Sequence, residues 1–329
     1  MRITIKDIAQ QTGLSYSTVS RALHDEDSPY VSQKTRALVR QVARQLGYVP
    51  NAAARSLVTG QTNTLALMMI DAYAPFYAGV LRRLTRLAEE RGFTVAIERW
   101  SSPGPHDGPP EFLRWPVAGA LTWDACYVYA DKMQFLRQHG LPVIELGAVV
   151  GEHGDRVVAD LAGGTRLAVE HLLAPGRRRV AMVANRGSLE MDDQRAVTYR
   201  AVMAEAGLEA ESIVVSQQTR AATREAILEA GRQGVLPEAL FCINDDVAIG
   251  ALRALQELGV RVPDDVAIVG CDGIEDTLYH TPSLSTLLHP VEAMCAQGLA
   301  MLAERIANPE LPEQHAVLPM TLAVRESSA

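Results

Sequence analysis

Short apolar runs alternate with amphipathic helical patterns along the chain from residue 64 to residue 306. The runs fall at 64–70, 93–97, 117–121, 142–146, 157–159, 179–184, 212–215, 239–243 and 266–269. This alternation is typical of parallel, doubly wound sheets covered by helices on both faces. About 260 residues of it are enough for two lobes rather than one. The sequence therefore predicts an α/β body of two Rossmann-like lobes, with a seam near 159–163 and a return crossing near 287–290.

Charge is distributed unevenly along the chain. The 329 residues carry a formal net charge of −8, which by itself argues against a nucleic-acid partner. Residues 1–60 hold eight basic and four acidic residues, a net charge of +4, which leaves −12 for the remainder. This asymmetry predicts a basic nucleic-acid-binding head on an acidic body.

The basic segment is predicted to form three short helices. Thr4 can begin the first, with Asp7 at capping-box spacing, while Ser15 and Ser32 can begin the second and third. The apolar face expected on the third helix consists of Leu38, Val42 and Leu46.

The first two of these helices have the requirements of a helix-turn-helix. Two helices that cross closely need a small residue in the first, a residue tolerant of positive φ in the turn and a branched apolar residue in the second. Ala9, Gly13 and Val19 meet these needs at the right spacing. We therefore expect an all-α helix-turn-helix head.

The second helix of such a motif enters the major groove, and the residues at its start reach base edges. Tyr16 and Ser17 hold these positions, and Arg21, one turn further on, could donate two hydrogen bonds to a guanine. Hydroxyl and ammonium groups nearby suit phosphate contacts, which set position rather than sequence. The DNA contacts expected from the head are Thr4, Ser15, Tyr16, Ser17, Thr18, Ser20, Arg21, Ser32 and Lys34.

Three stretches of the chain resemble a known family. IKDIA at 5–9, GLSYSTVSRAL at 13–23 and LGYVPNAAARSL at 46–57 closely resemble the start of the LacI/GalR family of bacterial transcriptional regulators, and the resemblance extends over nearly the whole chain. It implies a DNA-binding head at 1–49, a hinge at 50–60 and an effector-binding, dimerising body at 61–329. The body would be periplasmic-binding-protein-like. Its N-lobe would be about 61–159 plus 290–318, and its C-lobe about 160–289 plus 319–329.

The alanine-rich segment 51–57 is too short to be a stable helix alone. We expect it to fold only on DNA. The family resemblance implies a hinge helix that pairs with its twin in the minor groove, where a leucine separates a base step. Leu57 holds that position, so the hinge residues expected to contact DNA are Asn51, Ala54 and Leu57.

Ligands of open parallel sheets bind beyond the carboxyl ends of the strands, where several polar and aromatic residues of this body fall. The family resemblance implies that Arg195, Asn244 and Asp272 contact the effector. An arginine, an amide and a carboxylate suit sugar hydroxyls, or an anion if the arginine is unpaired. The expected effector-binding residues are Asp71, Phe76, Trp123, Asp160, Arg195, Asn244 and Asp272.

Two departures from the family pattern concern the effector. No aromatic residue follows the run at 212–215, where sugar-binding relatives often have one; residues 216–219 read SQQT. Leu161 replaces the polar residue common after the Asp160 position. A standard neutral hexose is therefore in doubt, and the expected class is a sugar, a sugar derivative or a nucleoside.

The sequence gives no sign of enzyme, metal or cofactor chemistry. It lacks the common nucleophile-elbow, phosphate-loop and zinc-protease motifs, and neither its eight histidines nor its four cysteines have metal-ligand spacing. We expect no catalytic residue, no metal and no cofactor. Without a signal peptide or an apolar membrane span, a cytoplasmic protein is expected.

Together these features predict a sequence-specific repressor that binds a pseudo-palindromic double-stranded operator as a homodimer and is controlled by an effector between its lobes. Only four residues follow Arg325, so no tetramerisation helix is expected. Two alternatives remain open. The body could respond to a protein corepressor, or the chain could be a sugar- or nucleoside-processing enzyme with a DNA-binding head.

Overall fold

The structure is a computed structural model. It describes residues 3–24, 29–49, 62–69, 74–99, 116–124, 126–148, 151, 153–190 and 193–329. The chain divides into two compact units, a head, Met1–Thr62, and a body, Asn63–Ala329. Among the described residues no helix is long and apolar enough to cross a membrane.

The described part of the head contains three helices, α1 (Ile5–Thr12), α2 (Tyr16–His24) and α3 (Gln33–Gln45). The Asp7 carboxylate accepts hydrogen bonds from the Thr4 backbone N–H, at 2.7 Å, and from the Thr4 hydroxyl, at 2.8 Å. Gly13 ends α1 with a φ of 70°, a conformation that glycine adopts without the cost of a Cβ. The turn between α1 and α2 therefore has the geometry expected from the sequence.

Serine side chains begin the next two helices. The Ser15 hydroxyl accepts a hydrogen bond from the Thr18 backbone N–H, and the Ser32 hydroxyl accepts one from Thr35, each at 3.1 Å. These hydroxyls pair two of the backbone N–H groups that a helix start leaves without a partner.

The core of the head differs from the sequence prediction at one position of α3. Leu38 was expected on the inner face of α3, but its side chain is 45% exposed, and Val39 is fully buried instead. Val39, Val42 and Ala43 lie at helical spacing on one stripe, and Leu38 is about 100° away from Val39 around the helix. They pack with Ile8, Val19, Ala22 and Val31.

The described part of the body contains two six-stranded sheets. The first has the order β11-β5-β4-β3-β1-β2, and all its pairs are parallel. Its strands are β1 (Thr64–Met69), β2 (Thr94–Arg99), β3 (Gly119–Trp123), β4 (Val143–Gly147), β5 (Asp155–Asp160) and β11 (His315–Pro319).

The second sheet has the order β12-β10-β9-β8-β6-β7, and it is parallel except for the antiparallel pair of β10 with β12. Its strands are β6 (Val180–Asn185), β7 (Glu211–Val215), β8 (Ala239–Cys242), β9 (Ala267–Asp272), β10 (Ser285–Leu288) and β12 (Thr321–Ala323). Both sheets are rich in buried Val, Ile, Leu and Ala, as expected when helices cover both faces.

Helices alternate with the strands in the body. They are α4 (Pro75–Glu90), α5 (Cys126–Gln138), α6 (Leu161–Leu173), α7 (Arg186–Glu190), α8 (Gln194–Glu205), α9 (Arg220–Arg232), α10 (Asp245–Glu257) and α11 (Val291–Ala307), with a 3₁₀ turn at Glu275–Leu278. Helix α11 packs on β3, β4 and β5, whereas α6 packs on strands of the second sheet. The chain thus passes between the sheets after Asp160, after Leu288 and at Met320.

Candidate DNA-binding face and effector cleft

The start of α2 presents polar side chains to solvent. Tyr16 is 55% exposed, Ser17 and Arg21 are also exposed, and Val19 and Ala22 point into the core of the head. The guanidinium carbon of Arg21 lies 5.3 Å from the centre of the Tyr30 ring, a cation–π distance. The residues expected to contact bases therefore share one open face of one helix.

The hydroxyl groups expected to contact phosphate have internal roles as well. The Ser15 hydroxyl lies 2.9 Å from that of Ser17 and 2.8 Å from that of Thr18, in addition to capping α2. Ser32 and Lys34 are exposed at the start of α3, Ser20 is half-buried, and the Thr4 hydroxyl donates to Asp7. Asn51, Ala54, Leu57 and the effector candidate Asp71 lie outside the described residues.

In the body, Arg195 is already part of an ion pair. Its Nη2 donates to Asp193 Oδ2 at 2.8 Å and its Nε to Asp193 Oδ1 at 3.0 Å, while Nη1 donates to the Ile243 carbonyl at 2.8 Å. Burial acts to raise the pKa of Asp193, but the hydrogen bonds and charge of Arg195 outweigh it and lower that pKa. Asp193 was absent from the expected site. As the N-cap residue two positions before Arg195, it could have been found from the sequence.

Asn244 belongs to a network of amides at the ends of β6 and β8. Its Oδ1 accepts from the Val247 N–H at 2.8 Å, which caps α10, and its Nδ2 donates to Gln218 Oε1 at 3.2 Å. Gln218 Nε2 in turn donates to Asn185 Oδ1 at 3.0 Å and to the Ser188 hydroxyl at 2.9 Å. Gln218 thus lies in the stretch where sugar-binding relatives were expected to have an aromatic residue.

Asp272 ends β9 with a φ of 142°, a region that side-chain-bearing residues seldom adopt. The fully buried carboxylate of Asp245 anchors the chain just after it, accepting hydrogen bonds from the Gly273 N–H at 2.7 Å and the Ile274 N–H at 2.9 Å. Asp245 Oδ1 also accepts from the Thr286 hydroxyl at 2.6 Å. Asp245 therefore ties α10 to β9 and β10 and holds the backbone that orients Asp272.

Burial determines the ionisation of the groups around Asp272. Burial and the nearby charge of Asp245 raise the pKa of Asp272 well above the ordinary value, against the opposing effect of Arg195. Burial also raises the pKa of Asp245 to about 6. Burial, with the charge of Arg195, lowers the pKa of His289 to about 3, so its imidazole is neutral at physiological pH.

Aromatic side chains cover the first-sheet side of the cleft. The Phe76 ring lies 5.0 Å from the His289 ring and 6.3 Å from the Trp123 ring, centre to centre. Trp123 was expected just after β3, but β3 runs two residues further than the apolar pattern suggested, so Trp123 is its last residue and is fully buried. Phe76 is thus the aromatic candidate that faces open space.

A cavity of about 1060 Å³ separates the start of α4 from the loop after β9 and the crossing after β10. Phe76, Asp272 and His289 line it. Asp160 does not line this cavity; its Oδ1 accepts from the Gly163 N–H at 2.8 Å and caps α6. The structure thus brings Phe76 and Asp272 to this cavity. Arg195 and Asn244 do not line it, although Arg195 lies near Asp272, and Asp160 caps α6.

Comparisons with known proteins agree with this architecture. The model of bacterial regulatory proteins of the lacI family matches residues 4–51, and a periplasmic binding protein-like domain matches residues 169–328. The transcriptional regulator CelR of Thermobifida fusca is 31% identical over 340 residues, which cover 99% of this chain and 98% of CelR. The chain belongs to the LacI/GalR family of bacterial transcriptional regulators.

Other relatives of this LacI/GalR regulator have similar coverage. The repressor PurR of Serratia proteamaculans is 29% identical over 93% of this chain and 91% of its own, and DegA of Bacillus subtilis is 29% identical over 100% and 99%. The structure of a Lac repressor dimer bound to operator shares the fold, with a TM-score of 0.85 at 23% identity over 100% of this chain and 99% of its own. A CelR–cellobiose complex gives a TM-score of 0.66 at 28% identity, over 99% of this chain and 100% of its own.

Family membership confirms the fold class predicted from the sequence, a helix-turn-helix head with a two-lobed, mainly parallel α/β body. It also confirms the predicted function. The protein is a DNA-binding transcriptional regulator with an effector-binding body.

Proposed function

We propose that this regulator is a homodimeric repressor whose operator affinity is set by a neutral, hydroxyl-rich small molecule held in the cleft beside Asp272. The residues proposed to hold it are Arg195, Asn244 and Asp272 from the C-lobe and Phe76 from the N-lobe. Trp123, which is buried, would support Phe76 from behind rather than contact the effector.

The ion pair of Arg195 with Asp193 is the observation that favours a neutral effector. An arginine whose Nε and Nη2 both donate to one carboxylate offers little net charge to a second anion. Asp272 lies in the same region, and burial and the charge of Asp245 raise its pKa well above the ordinary value. At this end of the cleft an anionic ligand would therefore gain little from Arg195, whereas hydroxyls could form hydrogen bonds with Asp272.

The amide network supplies the complementary donors. Asn244 uses its oxygen on the Val247 N–H, and Gln218 uses its Nε2 on Asn185 and Ser188, so the amide nitrogens of Asn185 and Asn244 are oriented by their neighbours. Hydroxyl groups both donate and accept, and they can therefore satisfy Asp272 and these amides together. The relative CelR, whose complex contains cellobiose, supports a saccharide.

We propose that Tyr16, Ser17 and Arg21 read base edges, while Thr4, Ser15, Thr18, Ser20, Ser32 and Lys34 contact phosphates. The exposed start of α2 supports this assignment. Hinge residues Asn51, Ala54 and Leu57 are proposed to contact the minor groove. We propose that the regulator acts in the cytoplasm, where its DNA partner lies, and that it does not turn over its effector.

The dimer surface is proposed to lie around the exposed side chains Leu278 and Tyr279. Tyr279 is 77% exposed, and its neighbour His280 borders a groove of about 460 Å³ along α9 and α10 that has Ile249 and Leu252 on its floor. An apolar groove beside exposed apolar side chains suits a second copy of the same surface. The Lac repressor that shares this fold is a dimer on its operator.

A thermal-shift panel on the full-length protein tests the effector class. Neutral mono- and disaccharides, sugar acids, sugar phosphates and nucleosides are compared at equal concentration. A ligand at 100 times its dissociation constant adds about 2.7 kcal/mol of stability. We expect stabilisation by a neutral saccharide, with its acid and phosphate analogues inactive. Stabilisation by a sugar phosphate alone would contradict the proposal, and chemical conversion of the bound ligand would favour the enzyme alternative.

The protein-corepressor alternative has a separate readout. If a small molecule alone changes operator affinity in a purified system, no protein corepressor is needed. If operator binding requires a cell extract and no compound of the panel affects it, the corepressor is favoured.

A further inference from the structure

Three potential metal ligands meet at the floor of the cleft, although they are far apart in the sequence. Cys271 and Asp272 end β9, and His289 directly follows β10. The parallel register of these strands places Leu287 beside Cys271 and Leu288 beside Asp272, which brings His289 to the same edge. One ligand atom from each of the three side chains lies within 4.8 Å of the other two.

The distances among these atoms suit a tetrahedral ion. Cys271 Sγ lies 3.8 Å from His289 Nε2, which lies 3.9 Å from Asp272 Oδ1. Zinc bonds of about 2.3 Å to sulfur and about 2.0–2.2 Å to nitrogen and oxygen require ligand atoms roughly 3.4–3.6 Å apart at tetrahedral angles. Shifts of a few tenths of an ångström would bring these two pairs to tetrahedral distances, and the ligand atoms of Cys271 and Asp272 lie within 4.8 Å of each other.

His289 has no strong hydrogen bond among the described residues, although its side chain is only 4% exposed. Its Nδ1 has no partner within the described part of the chain, and its Nε2 has only the long contacts to Cys271 and Asp272. A buried polar atom usually has a partner, because leaving it without one costs free energy. A metal ion on Nε2 would replace its two long contacts with one short bond, while Nδ1 would carry the ring proton.

The charges around the cluster favour a cation on balance. Arg195 lies near Cys271 and opposes a positive ion, but Asp193 pairs with that guanidinium, and Asp245 adds a buried carboxylate beside Asp272.

We propose that Cys271, Asp272 and His289 form a binding site for one divalent transition-metal ion of the zinc class. A sulfur, an imidazole nitrogen and a carboxylate oxygen select such an ion over magnesium or calcium, which prefer oxygen ligands alone. Asp272 and His289 line the cavity, so the fourth coordination position opens into the cleft.

Cobalt titration of the full-length, untagged protein tests the site without effector or DNA. Cobalt bound by a thiolate gives a charge-transfer band in the near ultraviolet, which reports on Cys271 directly. We expect one ion per chain with this band, loss of the band in Cys271→Ser, and at least about tenfold weaker binding in His289→Gln and Asp272→Asn. Cys295→Ser removes another buried cysteine, in α11, and should leave the band unchanged.

Circular dichroism in chelator-treated buffer establishes that each variant is folded. If Cys271→Ser does not fold, the cobalt titration of His289→Gln tests the site instead. A wild-type protein without the band, a band that persists in Cys271→Ser, or equal affinity in His289→Gln would overturn the site. Because Asp272 also belongs to the proposed effector site, saccharide binding is measured separately in chelator. Effector binding without metal binding rejects only the metal site, and the reverse rejects only the effector class.

Discussion

At the scale of single residues, the carboxylate of Asp193 is proposed to set which charge the effector can carry. It accepts hydrogen bonds from both Nε and Nη2 of Arg195, and both side chains are largely buried. Without Asp193, the same arginine would be an anion-binding group in the cleft. In this proposal the charge of the effector depends on Asp193, a residue that is not expected to touch it.

Substituting Asp193→Asn should shift the effector preference toward anions. The amide keeps the size of the side chain but removes the charge that neutralises Arg195. We expect affinity for a sugar acid to rise about tenfold, or about 1.4 kcal/mol, in isothermal titration, with no comparable gain for the neutral sugar. Asp265→Asn removes one of the two carboxylates that pair with the exposed Arg261, and it serves as the control. Equal gains in both variants, or none in Asp193→Asn, would argue against the role of the ion pair.

Arg21 is expected to read a base rather than only a phosphate. Arg21→Ala should cost about 1–3 kcal/mol on the specific site and relax the preference at one base pair, because a bidentate contact to a guanine is lost. Fluorescence anisotropy with operator and with random DNA measures both effects. Lys34 is a proposed phosphate contact, so Lys34→Ala should weaken binding to operator and to random DNA by a similar factor. The same uniform loss in Arg21→Ala would assign Arg21 to the backbone.

At the scale of elements, the Asp245 carboxylate joins α10 to β9 and β10 through three hydrogen bonds. Asp272, the last residue of β9, has an unfavourable backbone conformation, which persists only if its surroundings hold it. Thr286 extends the same contact to the strand that leads into the crossing between the sheets. The proposed effector site and the crossing between the two sheets therefore depend on the same buried side chain, Asp245.

Removing that anchor should destabilise the body. Asp245→Ala leaves the Ile274 N–H without this acceptor and the Gly273 N–H with only its 3.3 Å hydrogen bond to the Thr286 hydroxyl. We expect a cost of about 3 kcal/mol, which corresponds to a melting temperature lower by roughly 6–12 °C. In Asp245→Asn the amide oxygen still accepts from the backbone and the amide nitrogen can donate to Thr286, so the loss should be much smaller. Calorimetry measures the melting temperatures of both variants, and equal losses of stability would contradict the anchoring role of Asp245.

The sequence was sufficient to predict the helices and strands, but it was less reliable about where they end and which of their side chains are buried. Alternating apolar runs predicted the parallel sheets, because buried parallel strands leave a continuous apolar signal. Leu38 was assigned to the core in place of Val39 because the apolar character of a residue does not by itself fix its angle around a helix. Trp123 was placed after its strand because a threonine, Thr122, interrupts the apolar run although that side chain is also buried.

The composition of the cleft was only partly accessible from the sequence. Arg195, Asn244 and Asp272 were expected from the family resemblance, and the structure places them near one another, but their roles stay predictions. Gln218 and His289 were missed because only strand register and loop geometry bring them to Asn244 and Asp272. Long-range pairings of this kind leave no periodic signal in a single sequence.

At the scale of the whole molecule, sequence-specific binding depends on two heads that follow the symmetry of the operator. The hinge role of Leu57 stays a prediction, since that residue lies outside the described part of the chain. The proposed dimer surface at Leu278 and Tyr279 lies within the described residues, and a substitution there tests it.

A charge at this surface should separate the protomers. We expect Tyr279→Asp to run as a monomer in size-exclusion chromatography with light scattering and to bind operator at least about 100-fold more weakly, because one head reads only half of the site. Val235→Asp changes another half-exposed apolar residue, which does not line the groove, and should leave the dimer intact. A dimeric Tyr279→Asp protein would place the interface elsewhere.

The central claim is that effector binding in the body controls sequence-specific DNA binding by the head. The most direct measurement selects operators from a random DNA pool with full-length protein at physiological salt. It then compares the affinity for the selected duplex with and without the saccharide that stabilises the protein. We expect a pseudo-palindrome bound at least about 1000-fold more tightly than random DNA, with an affinity that the saccharide changes. Failure to enrich any sequence, or an affinity that no ligand of the panel alters, would contradict the account.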